Sequence, residues 1–147
     1  MTMKLSITLV PKNMWGQSLR NLLPRSKWDS IRQLELDRAG KRCEVCGHQG
    51  TGLICHEVWD YDDERHVASL KGFQIVCKTC DLVHHIGRAG AIGHGDEAIQ
   101  HFMKVNAFSR SDAIQQVRDA MGVWIDRNKY DWTIDWGIYE QDVIKKQ

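Results

Sequence analysis

The sequence predicts an α+β fold: a short ββα unit fastened by four cysteines, with flanking helices and a short strand near each end. Three observations predict it. Two Cys-x-x-Cys pairs, Cys43/Cys46 and Cys77/Cys80, bracket the middle of the chain; two strand-like runs, Leu53 to Trp59 and Phe73 to Val76, lie between them; and helical periodicity dominates the chain beyond Cys80. A chain of 147 residues, 42% hydrophobic and 27% charged, suits one domain over 1–147 with a single modest core. Within it we expect an N-terminal strand and basic helix (1–42), the cysteine-bound module (43–89) and C-terminal helical support (90–147). Two prolines argue against long disordered linkers.

Leu5, Ile7 and Leu9 alternate with polar neighbours as a half-buried strand does, and Pro11 ends the run. Ser26, with Asp29 three residues on, marks a helix N-cap; Trp28, Ile31 and Leu34 share one face until Gly40. Arg25, Lys27, Arg32 and Arg38 give that helix a basic character. Residues 1–42 carry net charge +6, against −3 for 43–95 and −2 for 96–147. An excess of this kind attracts phosphate backbones, although scattered Lys and Arg more often serve solubility.

No window has the length of a membrane span, and the opening apolar stretch is too short for a signal peptide, so a cytoplasmic protein is expected. Five cysteines in a reducing compartment point to metal or free thiols, not disulfides. Each Cys-x-x-Cys turn sets two sulfurs on one side, and four thiolates complete a closed tetrahedral zinc site at about 2.3 Å per bond. Iron or cobalt suits the same donors. A redox pair is disfavoured because neither motif follows a thioredoxin-like βαβ pattern, and Gly47 suits a tight zinc turn.

The acidic run from Asp60 to Glu64 reads as a solvated loop between the two strands, with Trp59 and Tyr61 packing on the module or offering a stacking platform to bases. Asp81 to Ile86 is expected to be a short helix, and Gly87 to Gly95 a tight, mobile connection. Asp96 starts a helix with Ala98, Ile99, Phe102 and Met103 on one face. Ser111 starts a longer one in which Ala113, Ile114, Val117, Ala120, Met121, Trp124 and Ile125 form a core face. Trp132, Ile134 and Trp136 alternate as a strand that would pair with the first, and a helix closes the chain from Ile138. His48, His66, His94 and His101 lack ligand spacing.

On Cys43, Cys46, Leu53, His56, Val58, Cys77, Cys80 and His85, the middle third resembles the zinc-bearing branch of the HNH, or ββα-metal, nuclease family, a treble-clef-like module. The run Cys55-His56-Glu57-Val58-Trp59, with Val105-Asn106 in a later helix, is also similar to a group of bacterial and phage HNH proteins. The resemblance implies that a strand residue and a helix residue hold a divalent ion against the scissile phosphate while a neighbouring residue activates water. One register makes His56 the ligand and Glu57 the base; the other makes Cys55 the ligand and His56 the base. Asp81 stands where the family has His or Asn, and Gly72 where it has Asn.

The candidate set is therefore Cys43, Cys46, Cys77 and Cys80 for structural zinc, with His56 and Asp81 for a catalytic magnesium or manganese ion. Glu57 or His56 would activate water, and His85 would assist; His84 is expected to face water. Two functions are compatible with this set: an endonuclease acting on nucleic acid, DNA first, with the basic helix holding phosphates; or a catalytically degenerate zinc module that binds nucleic acid or a protein partner, such as a phage or mobile-element factor inhibiting a host enzyme.

Overall fold

The computed structural model describes residues 3–146. Helices α1 (Leu19–Leu22) and α2 (Arg25–Arg38) precede strands β1 (Ile54–Asp62) and β2 (Val67–Val76). Helices α3 (Lys78–His84), α4 (Ile86–Ala91), α5 (Gly95–Asn106) and α6 (Arg110–Arg127) come next, then β3 (Thr133–Asp135) and α7 (Glu140–Lys146). The class is α+β, as expected, with a mixed three-stranded sheet in the order β1-β2-β3. No helix among the described residues is long and apolar enough to cross a membrane.

The hairpin is longer than its apolar runs suggest. Asp60, Tyr61 and Asp62 continue β1, so the acidic run is mostly strand, and the turn occupies 63–66. Period-two alternation explains this: Trp59 packs edge-on against Trp136 at 5.4 Å and Tyr61 against Trp132 at 5.4 Å, while Asp60 and Asp62 face water. Asp62 then caps the turn, its Oδ1 accepting the Glu64 and Arg65 amides at 3.0 Å. Register shifts opposite Val58 and Trp59, which pair with Gly72 and Leu70, leaving Lys71 as the extra residue of a bulge. Gly72 there adopts φ +154°, strained for an L side chain, which accounts for glycine where the resemblance expects Asn.

The expected first strand is not one. Residues 6–11 are in no strand or helix, and β3 pairs in parallel with β2, Val67 opposite Thr133, instead of with this segment. Bonds to α5 and α3 tie it down. Asn106 Oδ1 accepts the Lys4 and Leu5 amides at 2.8 and 3.1 Å, its Nδ2 donates to the Leu5 carbonyl at 2.9 Å, and the Thr8 amide donates to the His84 carbonyl at 3.1 Å. Leu5 is fully buried, so its alternation reflects packing on helices and not a ladder.

Other boundaries move for local reasons. Helix α2 starts at Arg25 behind Pro24, placing Ser26 inside it, and a short α1 precedes it with Ser18 Oγ accepting the Asn21 amide. Helix α3 starts at Lys78 with Cys77 as N-cap, and α6 at Arg110 with Ser109 as cap instead of Ser111. The first part of the glycine-rich segment is helix α4, because Ile86 and Ala89 are buried, and it is Gly95, whose Cβ would lie 3.4 Å from the Gly90 Cα, that lets the start of α5 lie against α4. Helix α6 is less buried than its pattern predicts. Ala113 is enclosed, and Ile114 and Val117 pack on the core, but Ile125 is about half exposed.

The main core joins the cysteine turns, the end of the hairpin, α3, α4 and α5 around Phe102, Ile75 and Val83. A second core is closed by α1, α2 and α7, with Leu19, Leu23, Trp28, Ile31, Trp136 and Val143 buried against Phe73 and Trp59.

Candidate functional site

The four expected cysteines converge. Cys43 and Cys80 sulfurs are 3.7 Å apart, Cys46 and Cys77 sulfurs 3.6 Å, and all four lie within 4.8 Å of one another. A tetrahedron with bonds of about 2.3 Å to zinc has edges of about 3.8 Å, so the cluster fits such an ion. The Cys46 amide points at the Cys43 sulfur and the Cys80 amide at the Cys77 sulfur, at 3.5 and 3.4 Å. Gly47, at φ +79°, closes the first turn by donating its amide to the Cys43 carbonyl. Burial pushes the Cys80 thiol far up, while amides of Cys46, Cys77 and Val45 bring Cys43 down to about 7 against its own burial. A cation held by the four sulfurs would let all of them ionise despite burial, and its binding would then be coupled to folding.

Two neighbours brace this cluster. Glu44, inside the first turn, donates its amide to the Ile75 carbonyl and accepts the Ile75 amide at 2.6 Å, tying the turn to the strand that leads into Cys77. Arg38 holds the same carboxylate through two bonds at 2.7 and 2.9 Å. His101, to which sequence spacing gives no role, sits on α5 with Nε2 3.1 Å from the Cys80 sulfur. Burial keeps its ring below the usual imidazole range, so the neutral ring can donate to the sulfur.

A second cluster lies one helical turn further on. His56 from β1, with Asp81 and His85 from α3 and its C-cap, bring one ligating atom each within 4.8 Å of the others. Asp81 Oδ1 is 3.8 Å from His56 Nδ1 and 3.5 Å from His85 Nε2. The i, i+4 spacing of Asp81 and His85 aims both at the strand. Burial first, then the His84 and His85 rings, hold His56 down at about 3 despite Asp81. His56 is thus neutral, with the Thr8 hydroxyl 3.3 Å from its Nε2. A proton on Nε2 donated to Thr8 leaves Nδ1 free as a ligand. Asp81 stays ionised below the usual carboxylate range: burial pushes it up, but the His85 bond and the surrounding rings outweigh this. Two imidazoles and one carboxylate suit manganese, nickel, zinc or iron(II) better than magnesium.

His84 does not face water. It is 3% exposed, stacks on His56 with ring centroids 4.2 Å apart, and sits 2.7 Å from the Ser6 carbonyl and 3.3 Å from Gln74. Neighbours of His56 in the strand point away from the cluster, because alternate residues face opposite sides. Cys55 packs toward the Trp28 core with its thiol pushed up to about 12 by burial. Glu57 accepts the Leu19 amide at 3.1 Å, and burial raises its carboxyl to about 7.

His56, Asp81 and His85 line a cleft of about 1250 Å³ bordered by residues 6–10, α1, α2 and α6. It follows β1, whose outer edge has no strand partner among the described residues. Arg20, Arg25, Arg32, Lys78 and Arg127 line it, with the carboxyls of Asp29, Glu57 and Asp81; Arg25 pairs with Asp29 at 3.7 Å and Arg127 with Asp63 at 2.9 Å. The basic helix contributes less than its composition suggests: Arg38 is spent on Glu44, Lys27 pairs with Asp142 at 3.7 Å, and Arg32 donates to the Leu53 carbonyl. Trp59 and Tyr61 border the cleft but are packed on Trp136 and Trp132, with Arg127 over the Tyr61 ring.

Compared with protein-family models, with curated proteins and with solved structures, the chain finds no match in any of the three.

Proposed function

We propose that this protein is a metal-dependent endonuclease of the HNH type, built on a zinc-fastened, treble-clef-like ββα module and hydrolysing phosphodiester bonds of nucleic acid, DNA first. The observation that carries this reading is the convergence of His56, Asp81 and His85 from one strand and one helix into a cation-lined cleft, directly beside the four-cysteine clamp. A divalent ion in that cluster would polarise the scissile phosphate and stabilise the leaving oxygen. His56 and Asp81 would hold it through Nδ1 and a carboxylate oxygen, with His85 as third donor. Arg20 and Lys78 would position neighbouring phosphates. Glu57, held by the Leu19 amide on the other side of β1, takes no part at that ion. The donor set alone would also serve iron(II) chemistry; the cations along an open strand edge favour a polyanion.

Plasmid and single-strand cleavage by zinc-loaded protein, with magnesium, manganese or nickel added, tests this. Cleavage is expected with manganese or nickel and should fall by at least about 100-fold in His56→Ala, whose zinc content and melting temperature stay those of the parent. Folded, zinc-loaded protein that cuts neither substrate with any of these ions would exclude the reading. A second reading, nucleic-acid binding without cleavage, draws on one observation: Glu57 is held by the Leu19 amide on the side of β1 opposite His56.

A further inference from the structure

The chain has six tryptophans, and their surroundings differ sharply. Trp28, Trp132 and Trp136 are at most 8% exposed, and Trp59 is packed on Trp136. Trp15 is 60% exposed. It is nevertheless fixed: it stacks on Trp124 with centroids 6.3 Å apart and planes 17° apart. Both indole N–H groups donate to one acceptor, the Val10 carbonyl, at 2.9 Å from Trp15 and 3.0 Å from Trp124. The Lys12 amide donates to Asn128 Oδ1 at 2.9 Å, anchoring the turn before Trp15 to the end of α6, and the Lys12 ammonium lies 5.3 Å from the Trp124 ring centre. An indole held this way has given up rotamer freedom while leaving much of its surface in water. That is the arrangement of a receptor face, not of core packing.

Its place decides what it receives. Val10, Val123, Trp124 and Arg127 line the same cleft as His56, Asp81 and His85, so the indole pair adjoins the wall that α6 contributes to the candidate reaction site. Arg127 is held by Asp63 through two bonds at 2.9 and 3.2 Å. Lys12 beside Trp124, and Arg20 and Lys78 along the cleft, select a polyanion, and a flat apolar face beside a polyanion track matches a base. Bases within a duplex already have both faces stacked; an unpaired base offers one free.

We propose that Trp15, braced by Trp124, is a stacking site for an unpaired nucleobase, and that the cleft therefore takes single-stranded or locally opened nucleic acid in preference to intact duplex. The inference rests on the nucleic-acid reading of the cleft and adds to it the substrate's strandedness.

Binding of fluorescently labelled oligothymidine, and of a duplex of the same length, to the zinc-loaded full chain without a second metal tests it. Trp15→Ala is expected to weaken oligothymidine binding about tenfold and to leave duplex binding within about twofold, while Trp15→Phe stays within about threefold of the parent on both. Equal oligothymidine affinity in parent and Trp15→Ala would overturn the stacking site and leave the nuclease reading intact. Equal losses on both substrates would also overturn it, since they would mark a general contact surface. A parent protein that binds neither at low salt would remove the nucleic-acid reading and the stacking site together. Because Trp15 is a surface residue, unchanged melting and zinc content of both variants provide the folding control.

Discussion

The two clusters on α3 are built from the same piece of backbone and differ in almost everything else. The four-cysteine cluster is closed: Cys43, Cys77 and Cys80 are buried, Glu44 and Arg38 brace the turn, and the sulfurs stand at the corners a tetrahedral ion requires. The His56–Asp81–His85 cluster is open to a cleft, with three donors and a wall of cations. Closed coordination suits an ion that holds structure, and incomplete coordination suits one that meets a ligand. Because Cys80 and Asp81 are adjacent, whatever the first cluster fixes about α3 is inherited by the second.

That dependence can be broken from one side. Cys80→Ser removes a thiolate at the start of α3, and metal held by such sites supplies folding free energy on the order of 10 kcal/mol. Substoichiometric metal by elemental analysis and loss of a cooperative thermal transition are expected; full retention of both would show that Cys80 is not needed to hold a metal. A smaller perturbation separates the two faces of β1. The Glu57 carboxyl is raised from 4.5 to about 7, so the folded protein keeps its proton longer than the unfolded chain. Its favourable contribution is full below pH 4.5 and is lost as pH rises through about 7. Glu57→Gln should therefore be more stable than the parent above about pH 8, by on the order of 3 kcal/mol, with the gain disappearing near pH 5. Urea unfolding at the two pH values measures this, and a gain independent of pH would contradict it. The smallest effect sharpens the contrast. Thr8→Val keeps side-chain shape but removes the hydroxyl facing His56 Nε2. Manganese affinity by calorimetry should fall about tenfold, with zinc content untouched.

What can be read without coordinates tracks the range of the interactions. The cysteine clamp is legible because each Cys-x-x-Cys turn is local, and spacing alone brings its sulfurs to one side. The amphipathic α5 is legible for the same reason. His84 defeats a sequence reading because its partner Ser6 is 78 residues away, and nothing near position 84 announces a buried carbonyl acceptor. The N-terminal segment imitates a strand because Leu5 is buried, yet Asn106 and α3 satisfy its backbone instead of a ladder. Both strand registers place a base beside the ligand in sequence; period-two geometry alone separates His56 from Cys55 and Glu57 and argues against a base adjacent to its metal. The acidic stretch imitates a loop because its charge hides the alternation of Trp59 and Tyr61.

The segment over His56 has a consequence for the order in which the molecule is assembled. The cysteine sulfurs meet across 37 positions of chain, whereas Lys4 meets Asn106 across 102 and Val10 meets Trp124 across 114. Short closures cost less chain entropy than long ones, so the clamp can form while the C-terminal helices are still being made. The N-terminal residues, made before the clamp, are then among the last to find their seat, and the cleft acquires its roof only when α5 and α6 are complete.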